Sequence, residues 1–470
     1  MVFNSLVFLV FFAAVYGLYR VLPHRGQNVL ILVSSYFFYG WWDWRFLSLI
    51  FISTAIDFGV GRYIEDAGDD RRRRKIAVGI SIAANLGILG FFKYFNFFAE
   101  NLAGLLQVFG VEVSVRYLNI VLPVGISFYT FQTMSYTLDV YRGQLKAARS
   151  FLDFAAFVAF FPQLVAGPIE RAARLLPQIQ QPRTITRAGL ESGAWLVGWG
   201  LFKKCVVADN LAVLVDGAFG AEATTGAVAL LALYAFAFQI YCDFSGYSDI
   251  ARGISRWMGI DLMLNFNNPY FALNPKDFWA RWHVSLSSWL RDYLYISLGG
   301  NRRGRGWTYV NLALTMLLGG LWHGAAWTFI AWGAFHGAML VAYHAWAEKH
   351  APKGTPDSGR WLWPRRFLFF HLTCLGWLLF RAESLGQVGD MLVRIFTDFA
   401  WNASATDALA ALVLFCLPLW LVQGLQMKTG DLLAPLRLSA VPRAALYATL
   451  LLMALALGNT GGGAFIYFQF

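Results

Sequence analysis

The chain has 470 residues, of which 58% are hydrophobic and only 14% are charged, and its formal net charge is +11. A soluble domain carries roughly 25% charged residues, so this composition excludes an ordinary soluble protein and indicates an integral membrane protein. Nucleic acid is a common partner of basic proteins, but the sequence contains no basic soluble domain to hold it. We therefore predict no nucleic-acid binding.

Apolar runs long enough to cross a bilayer recur along the whole sequence. The first has no preceding basic residue and no cleavage site at the right distance, so we predict a retained span and not a signal peptide. We predict an all-α polytopic membrane protein with roughly 11–13 transmembrane helices, folded as a single domain, 1–470. The candidate spans are 5–22, 27–42, 46–62, 76–98, 118–138, 151–167, 188–216, 224–247, 307–331, 333–348, 366–380, 406–424 and 440–458.

Two short basic loops predict the orientation of the chain. They are 69–75 (DDRRRRK) and 301–305 (NRRGR). Because cytoplasmic loops are enriched in Lys and Arg, we place both at the cytoplasmic side. Anionic membrane lipids would attract these side chains at that surface.

Proline and glycine interrupt two of the apolar runs. Pro123 and Gly125 lie within 116–143, and four prolines lie within 160–182. Irregular backbone at membrane depth is tolerated only where protein or a water-filled cavity satisfies its polar groups. These breaks predict re-entrant segments around an internal cavity, a feature of both transporters and intramembrane enzymes.

The segment 268–300 predicts one interfacial or cavity-lining helix. Asn274 before Pro275 is typical of a helix start, and two glycines at 299–300 are typical of a helix end. Aromatic residues and leucines recur at steps of three and four residues. Five charged residues make the segment a poor span, so we expect it near the cytoplasmic basic loop.

Two residues of that helix, Arg281 and His283, have polar side chains whose contacts can be predicted from their positions. Arg281 lies four residues after Asp277, the spacing of an ion pair on one helix face. His283 lies beside the aromatic stripe. It is either an interfacial histidine bonded to a neighbouring helix or a polar group on the wall of a substrate tunnel.

His323 lies deep in the apolar, glycine-rich run 319–337 (GGLWHGAAWTFIAWGAFHG). An ionisable residue at membrane depth usually faces a cavity and is a functional candidate. The neighbouring glycines and alanines let another backbone, or a substrate, approach closely. The alternative is a hydrogen-bonded packing histidine.

A metal site is not predicted. His336 lies thirteen residues after His323, which on a continuous helix places the two side chains roughly 220° apart. The sequence has no HExxH motif, and its cysteines have no CxxC spacing. These cysteines are Cys205, Cys242, Cys374 and Cys416.

Two further polar positions leave alternatives open. Asp243, in the run 238–253 with Tyr247, would either orient an imidazole or satisfy a broken helix. Lys203 and Lys204 are snorkelling anchors in our preferred interpretation, or phosphate contacts in the other. The sequence has no GxSxG, HxxxxD or GxxxxGK motif, so the residues alone leave the reaction class undecided.

Together these stretches resemble the membrane-bound O-acyltransferase family, above all its bacterial branch with the alginate O-acetyltransferase membrane subunit and the teichoic-acid D-alanyl transferase. The resemblance covers nearly the whole chain. The segments that carry it are 34–44 (SSYFFYGWWDW), 89–98, 122–143, 160–172, 238–253, 265–302, 319–337 and 465–470 (FIYFQF).

The resemblance implies a helical fold around a through-membrane funnel, with His323 as the family's intramembrane histidine and His283 as a second one. An acyl thioester from the cytoplasm, either acetyl-CoA or an acylated carrier protein, would meet a hydroxyl from outside, and no bound cofactor is implied. A neutral imidazole suits the role of base near pH 7, so we predict both histidines as catalytic. The predicted substrate-binding residues are Trp279, Arg281, Trp282, Ser285, Trp322, Asp243 and Tyr247.

The resemblance also implies acetyl groups bound for an exported polysaccharide such as alginate or bacterial cellulose, a bacterial inner-membrane location and periplasmic partner proteins that complete the transfer. D-alanyl transfer is the nearest alternative. A transporter or flippase would also suit broken helices and a midplane histidine, but it predicts an inverted repeat that the sequence lacks. A scaffold subunit of an export machine would leave both histidines replaceable.

Overall fold

The computed structural model describes residues 1–111, 118–221, 224–350, 359–459 and 465–466, except for the side chains of 348–350. Within these ranges the chain is helical and has no strand, which confirms the predicted all-α membrane fold. Most of the C-terminal motif, 467–470, lies outside the described residues.

The chain divides into two compact units. One comprises Met1–Gly193 and Ile254–Met263, and the other comprises Ala194–Gly253 and Leu264–Phe470. The single domain proposed for 1–470 stays a prediction.

Nine helices lie in the described part of the first unit. A 3₁₀ turn at Trp44–Phe46 and a π-helix at Gly90–Tyr94 interrupt the regular pattern. The helices are α1 (Leu6–Val21), α2 (His24–Asp43), α3 (Leu47–Asp66), α4 (Arg71–Leu89), α5 (Phe95–Val108), α6 (Ile126–Tyr141), α7 (Phe151–Ala159), α8 (Phe161–Leu164) and α9 (Ala172–Gln180).

The predicted breaks are found in this unit, and two predicted spans are therefore wrong. Helix α6 begins only at Ile126, after Gly125 adopts a left-handed φ of 75°. A side chain at that glycine would collide with the carbonyl oxygen of Leu164. The run 151–167 divides into α7 and α8, because Phe160, with a ψ of 105°, leaves the helical conformation between them.

The second unit contains the remaining helices, and α10 and α12 each run from one unit into the other. A π-helix lies at Phe202–Ala208, and a 3₁₀ turn lies at Ala434–Arg437. The helices are α10 (Arg187–Leu201), α11 (Asp209–Gly220), α12 (Gly226–Trp257), α13 (Pro275–Arg281), α14 (Val284–Trp289), α15 (Arg305–His323), α16 (Trp327–His350), α17 (Leu362–Arg381), α18 (Leu385–Thr397), α19 (Ala403–Thr429) and α20 (Ala440–Leu457).

Five helical stretches in the described part of the chain are long and apolar enough to cross a bilayer. The apolar stretch of α12 is 83% buried, whereas that of α20 is 6% buried. Helix α12 therefore forms part of a protein core, and α20 presents most of its surface outward. The five are His24–Asp66, Arg71–Val108, Gly226–Trp257, Ala403–Thr429 and Ala440–Leu457.

Candidate active site

The run that contains His323 is a helical hairpin and not a continuous helix. Helix α15 ends at His323, the backbone at Gly324 is extended, and α16 begins at Trp327. The angular comparison of His323 with His336 assumed a continuous helix, and that assumption was wrong. The hairpin brings both histidines against one side chain, Trp332 of α16, at ring-centroid distances of 5.0 and 4.7 Å.

Glycines let the two helices of this hairpin pack backbone against backbone. A Cβ at Gly333 would lie 2.5 Å from the carbonyl oxygen of Met316, and one at Gly337 would lie 3.2 Å from the Cα of Ala313. Gly320, one of the glycines beside His323, faces the same backbone, because a Cβ there would lie 3.1 Å from the Cα of Gly333. This contact confirms the predicted close approach and identifies the approaching backbone as that of the neighbouring helix.

Substitution of Gly333 with alanine is expected to destabilise the hairpin by about 1–3 kcal/mol, the range for overpacking. Gly306→Ala in the same hairpin is the matched control, because a Cβ there meets nothing within 4 Å. Thermal unfolding of the purified protein in detergent measures both. Equal melting temperatures for the two variants would contradict the packing argument.

His323 is enclosed by aromatic side chains. The ring is only 4% exposed. Trp322, Trp332 and Phe380 lie 5.0, 5.0 and 5.3 Å from it, all edge to face. Aromatic walls exclude water, and electrostatic interactions in such a place are stronger than in solution.

The predicted helix over 268–300 is wrong, because His283 interrupts it. The segment consists of a 3₁₀ turn at Pro269–Phe271, α13, α14 and a π-helix at Leu290–Tyr295. The predicted start is confirmed, since the Asn274 side chain accepts a hydrogen bond from the backbone N–H of Asp277. His283 has a φ of 43°, a left-handed conformation that is strained for a residue with a side chain and that clusters at functional sites.

The side chain of Asn265 holds His283. Its Oδ1 lies 3.0 Å from His283 Nδ1 and accepts the hydroxyl hydrogen of Ser285 at 2.9 Å. Its Nδ2 donates to the hydroxyl of Ser248 at 3.1 Å. The backbone carbonyl of Asn265 also accepts the N–H of Val284, so the segment of Asn265 is joined to the start of α14 beside the histidine.

Trp322 brings the two predicted catalytic histidines into one site. Its ring lies 5.0 Å from that of His323 and 6.1 Å from that of His283. Both imidazoles are buried, at 4% and 0% exposure. Two buried imidazoles beside one indole form a small site that can move a proton and position a hydroxyl.

The site lies inside a region that matches a known family. Residues 144–382 match the model of the membrane-bound O-acyltransferase family. The chain is 45% identical to a probable alginate O-acetylase of Azotobacter vinelandii over 405 residues, 86% of this chain and 80% of that protein.

The chain belongs to the membrane-bound O-acyltransferase family.

Two further relatives have the same breadth of match. A probable alginate O-acetylase of Pseudomonas aeruginosa is 44% identical over 86% of this chain and 76% of its own length. A peptidoglycan O-acetyltransferase of Helicobacter pylori is 36% identical over 82% of this chain and 78% of its own length. The protein is thus an O-acyltransferase embedded in a membrane.

The predicted substrate-binding tryptophans of this acyltransferase lie around the two histidines. Trp279 packs at 5.7 Å on Trp332, and Trp282 lies 5.0 Å from Phe266. Ser285 shares the hydrogen bonds of the Asn265 side chain.

The side chain of Arg281 is bonded to residues close to it in sequence. It donates to Asp277 at 2.6 Å, which confirms the predicted ion pair, and to the carbonyl oxygen of Asn267. That substrate contacts these residues stays a prediction.

Asp243 binds a lysine and not an imidazole. Lys204 Nζ lies 2.7 Å from Asp243 Oδ1 and 2.8 Å from Asp209 Oδ1. The second carboxylate oxygen of Asp243 accepts the backbone N–H of Ile466 at 2.6 Å. Of the two roles open for Asp243, the structure supports structural satisfaction of the helices, and any contact with substrate stays a prediction.

The interpretation of Lys203 and Lys204 as snorkelling anchors was wrong. Both are buried, at 2% and 6% exposure. Lys203 binds Asp249 at 2.7 Å and Ser245 at 2.9 Å. Because a buried charge is costly without a partner, these lysines lie inward where carboxylates can neutralise them.

Tyr247 lies at the C-terminal segment. Its ring is 4.9 Å from that of Phe465, and Phe465 in turn contacts Phe244. Phe244 packs edge to face on His283 at 4.7 Å. The predicted site residue Tyr247 is therefore linked to His283 only indirectly, through the rings of Phe465 and Phe244.

Sequence reasoning missed Asn265, Trp332 and Phe380. Trp332 and Phe380 resemble the many other aromatic residues of apolar helices, so their type carries no local signal. Asn265 had one: it begins the polar run NFNNP, which stands between apolar segments. Such a run also suits an exposed loop, and only the burial of Asn265, which is 1% exposed, separates the two cases.

Proposed function

We propose that the protein transfers an acetyl group from a cytoplasmic thioester to hydroxyls of an exported, alginate-type polysaccharide, with His323 as general base. The observation that carries this proposal is the convergence of His323 and His283 on Trp322 inside an aromatic enclosure. The donor is acetyl-CoA or an acetylated carrier protein, and the protein needs no bound cofactor.

The arrangement suits the chemistry of ester formation. The acceptor hydroxyl attacks the thioester carbonyl carbon, a C–O bond forms and the C–S bond breaks. His323 takes the hydroxyl proton and returns it to the departing thiolate. General-base catalysis of this kind contributes roughly 10²–10⁴-fold, and holding both substrates in place supplies a further part of the acceleration.

The names of the relatives favour acetyl over D-alanyl transfer. All three of the relatives described above are named for O-acetylation, two of alginate and one of peptidoglycan. The transporter and scaffold interpretations lose their support, because neither accounts for a family match that includes both histidines.

The orientation of α15 supports access from both sides of the membrane. The helix begins beside the basic loop 301–305, which we place in the cytoplasm, and His323 is its last residue. His323 would thus lie away from the cytoplasmic end of this helix, within reach of an acceptor that periplasmic partner proteins receive or deliver in a bacterial inner membrane.

Sealed membrane vesicles of known orientation test the donor and its side. Labelled acetyl thioester is supplied to the cytoplasmic face of inside-out vesicles that contain exported polymer, and alkali-labile label on the polymer is counted. We expect label from acetyl thioester and little from D-alanyl carrier. Label only in right-side-out vesicles would overturn the proposed direction, and label only from D-alanyl carrier would overturn the acetyl assignment.

A further inference from the structure

We infer that Asn265 is a positioning residue that fixes the tautomer of His283, with the proton on Nδ1 and the lone pair on Nε2, so that His283 binds a hydroxyl of the acceptor next to the reacting one and not the thioester carbonyl. The part that concerns substrate rests on the proposed function. The part that concerns the tautomer stands on the geometry of four buried polar residues: Ser248, Asn265, His283 and Ser285, each at 1% exposure or less.

The orientation of the Asn265 amide follows from its neighbours. A backbone N–H can only donate, and that of Ser285 points at the Asn265 side-chain atom assigned as Oδ1, at 3.4 Å. The same atom receives the Ser285 hydroxyl at 2.9 Å. The group facing His283 is therefore the carbonyl oxygen, and the amide nitrogen faces Ser248.

The tautomer of His283 follows from the amide. A carbonyl oxygen only accepts, so the Nδ1 that lies 3.0 Å from it carries the hydrogen. The Ser285 hydroxyl gives its single hydrogen to the amide, so its oxygen, 3.4 Å from Nδ1, is also an acceptor. A neutral imidazole with its hydrogen on Nδ1 has its lone pair on Nε2.

Packing holds the ring in this orientation. Phe244 lies edge to face against His283 at 4.7 Å, with Phe266 at 6.4 Å and Trp322 at 6.1 Å. The N–H of Val284 is bonded to the Asn265 carbonyl oxygen, which ties the strained backbone of His283 to the same residue. Turning the ring over would break the bond to the amide and leave a buried donor unsatisfied.

The tautomer decides which substrate group His283 can bind. The thioester carbonyl is only an acceptor, and it needs a donor. A hydroxyl can donate to a lone pair, and Nε2 of this tautomer supplies one. His283 therefore binds a second hydroxyl of the sugar acceptor, next to the reacting one. The reacting hydroxyl keeps its single hydrogen free for His323, which removes it.

Two substitutions at Asn265 separate the hydrogen bond from general structure. Asn265→Asp keeps an acceptor oxygen toward His283 and loses only the donor to Ser248, whereas Asn265→Leu keeps the approximate size and removes both. We expect Asn265→Leu to raise KM for the acceptor and lower kcat about 10–100-fold, the range for partners that orient metal-bound imidazoles, with KM for the thioester unchanged. Asn265→Asp restores most of the activity. The matched control Thr54→Ala, which removes a buried hydroxyl bonded to its own helix outside the site, stays close to wild type.

The tautomer of His283 can be measured independently of enzymatic activity, by ¹⁵N NMR of the full-length protein labelled only at histidine. The chain has 7 histidines, and the spectrum of His283→Gln identifies the signal of interest. We expect a neutral signal protonated at Nδ1 in the wild type and in Asn265→Asp. A wild-type signal protonated at Nε2 would overturn the inference.

The tautomer of His283 and the acetyl-transfer activity are measured separately. An Nδ1–H signal in a protein that transfers no acetyl group would contradict the proposed function and leave the tautomer assignment intact. An equal rise of KM for donor and acceptor in Asn265→Leu would overturn the assignment of His283 to the hydroxyl. If Asn265→Leu does not fold, Ser285→Ala gives the second measurement, because it removes one of the contacts that orient the amide.

Discussion

Strains whose only copy of this protein has His323→Ala are expected to export polysaccharide with almost no ester-linked acetate. The imidazole is the only group in the proposed mechanism that removes the hydroxyl proton, so its loss lowers the rate by about 10²–10⁴-fold. Alkali-released acetate per mass of exported polymer measures the effect.

His371→Ala is the matched control for this experiment. That histidine is bonded to Tyr234 through Nε2 and to the Phe367 carbonyl through Nδ1, outside the aromatic enclosure. Membrane levels of the variants are equalised by blotting. Full acetylation in His323→Ala would make His323 a packing histidine, and loss of acetate in both variants would show a general defect and not a catalytic one.

Replacement of Lys204 by methionine is expected to cost about 3–5 kcal/mol of stability, the range for removing one partner of a buried ion pair. Lys204 is bound to two carboxylates, and the side chains of all three residues are at most 8% exposed. Without the ammonium group, Asp209 and Asp243 are left as buried negative charges that repel each other. The loss extends to the site, because Phe244, next to Asp243 in sequence, packs on His283.

Unfolding of the purified protein in detergent, followed by heat or denaturant, measures the stability change. Arg187→Met is the control, since Arg187 forms an exposed pair with Glu191 on the surface of α10 and exposed pairs contribute little. Lys204→Met combined with Asp243→Asn should recover part of the loss. Equal stability of Lys204→Met and wild type would mean that the two carboxylates do not need this cation.

Local signals predicted local features well. The start of α13 at Asn274–Pro275 follows from hydrogen bonding within four residues, and the structure has it there. The breaks near Pro123, Gly125 and Pro162 follow from the backbone limits of proline and glycine. The interruption at His283 had no such signal, because histidine is an acceptable helix residue and the periodic pattern continues across it.

Position along the chain is a poor guide to partners in a folded core. Lys203 and Lys204 lie within the predicted span 188–216, where snorkelling would carry them outward. The carboxylates of Asp249 and Asp243, 46 and 39 residues further on, bind them inside the protein. The helix end at Gly324 also depends on residues further along the chain. The glycines of α16 pack on α15, and this packing requires the chain to turn at Gly324.

The sequence by itself determined that this protein lives in a membrane, that it is helical and that His323 and His283 are its site candidates. The bilayer imposes the first two, since it accepts only long apolar segments with internally bonded backbones, and the family resemblance supplies the third. Tertiary structure alone decided that both histidines meet at Trp322 and that Asn265, not Asp243, orients an imidazole. Hydrogen bonds and ring contacts act over a few ångströms, so which residues share them depends on how distant segments pack.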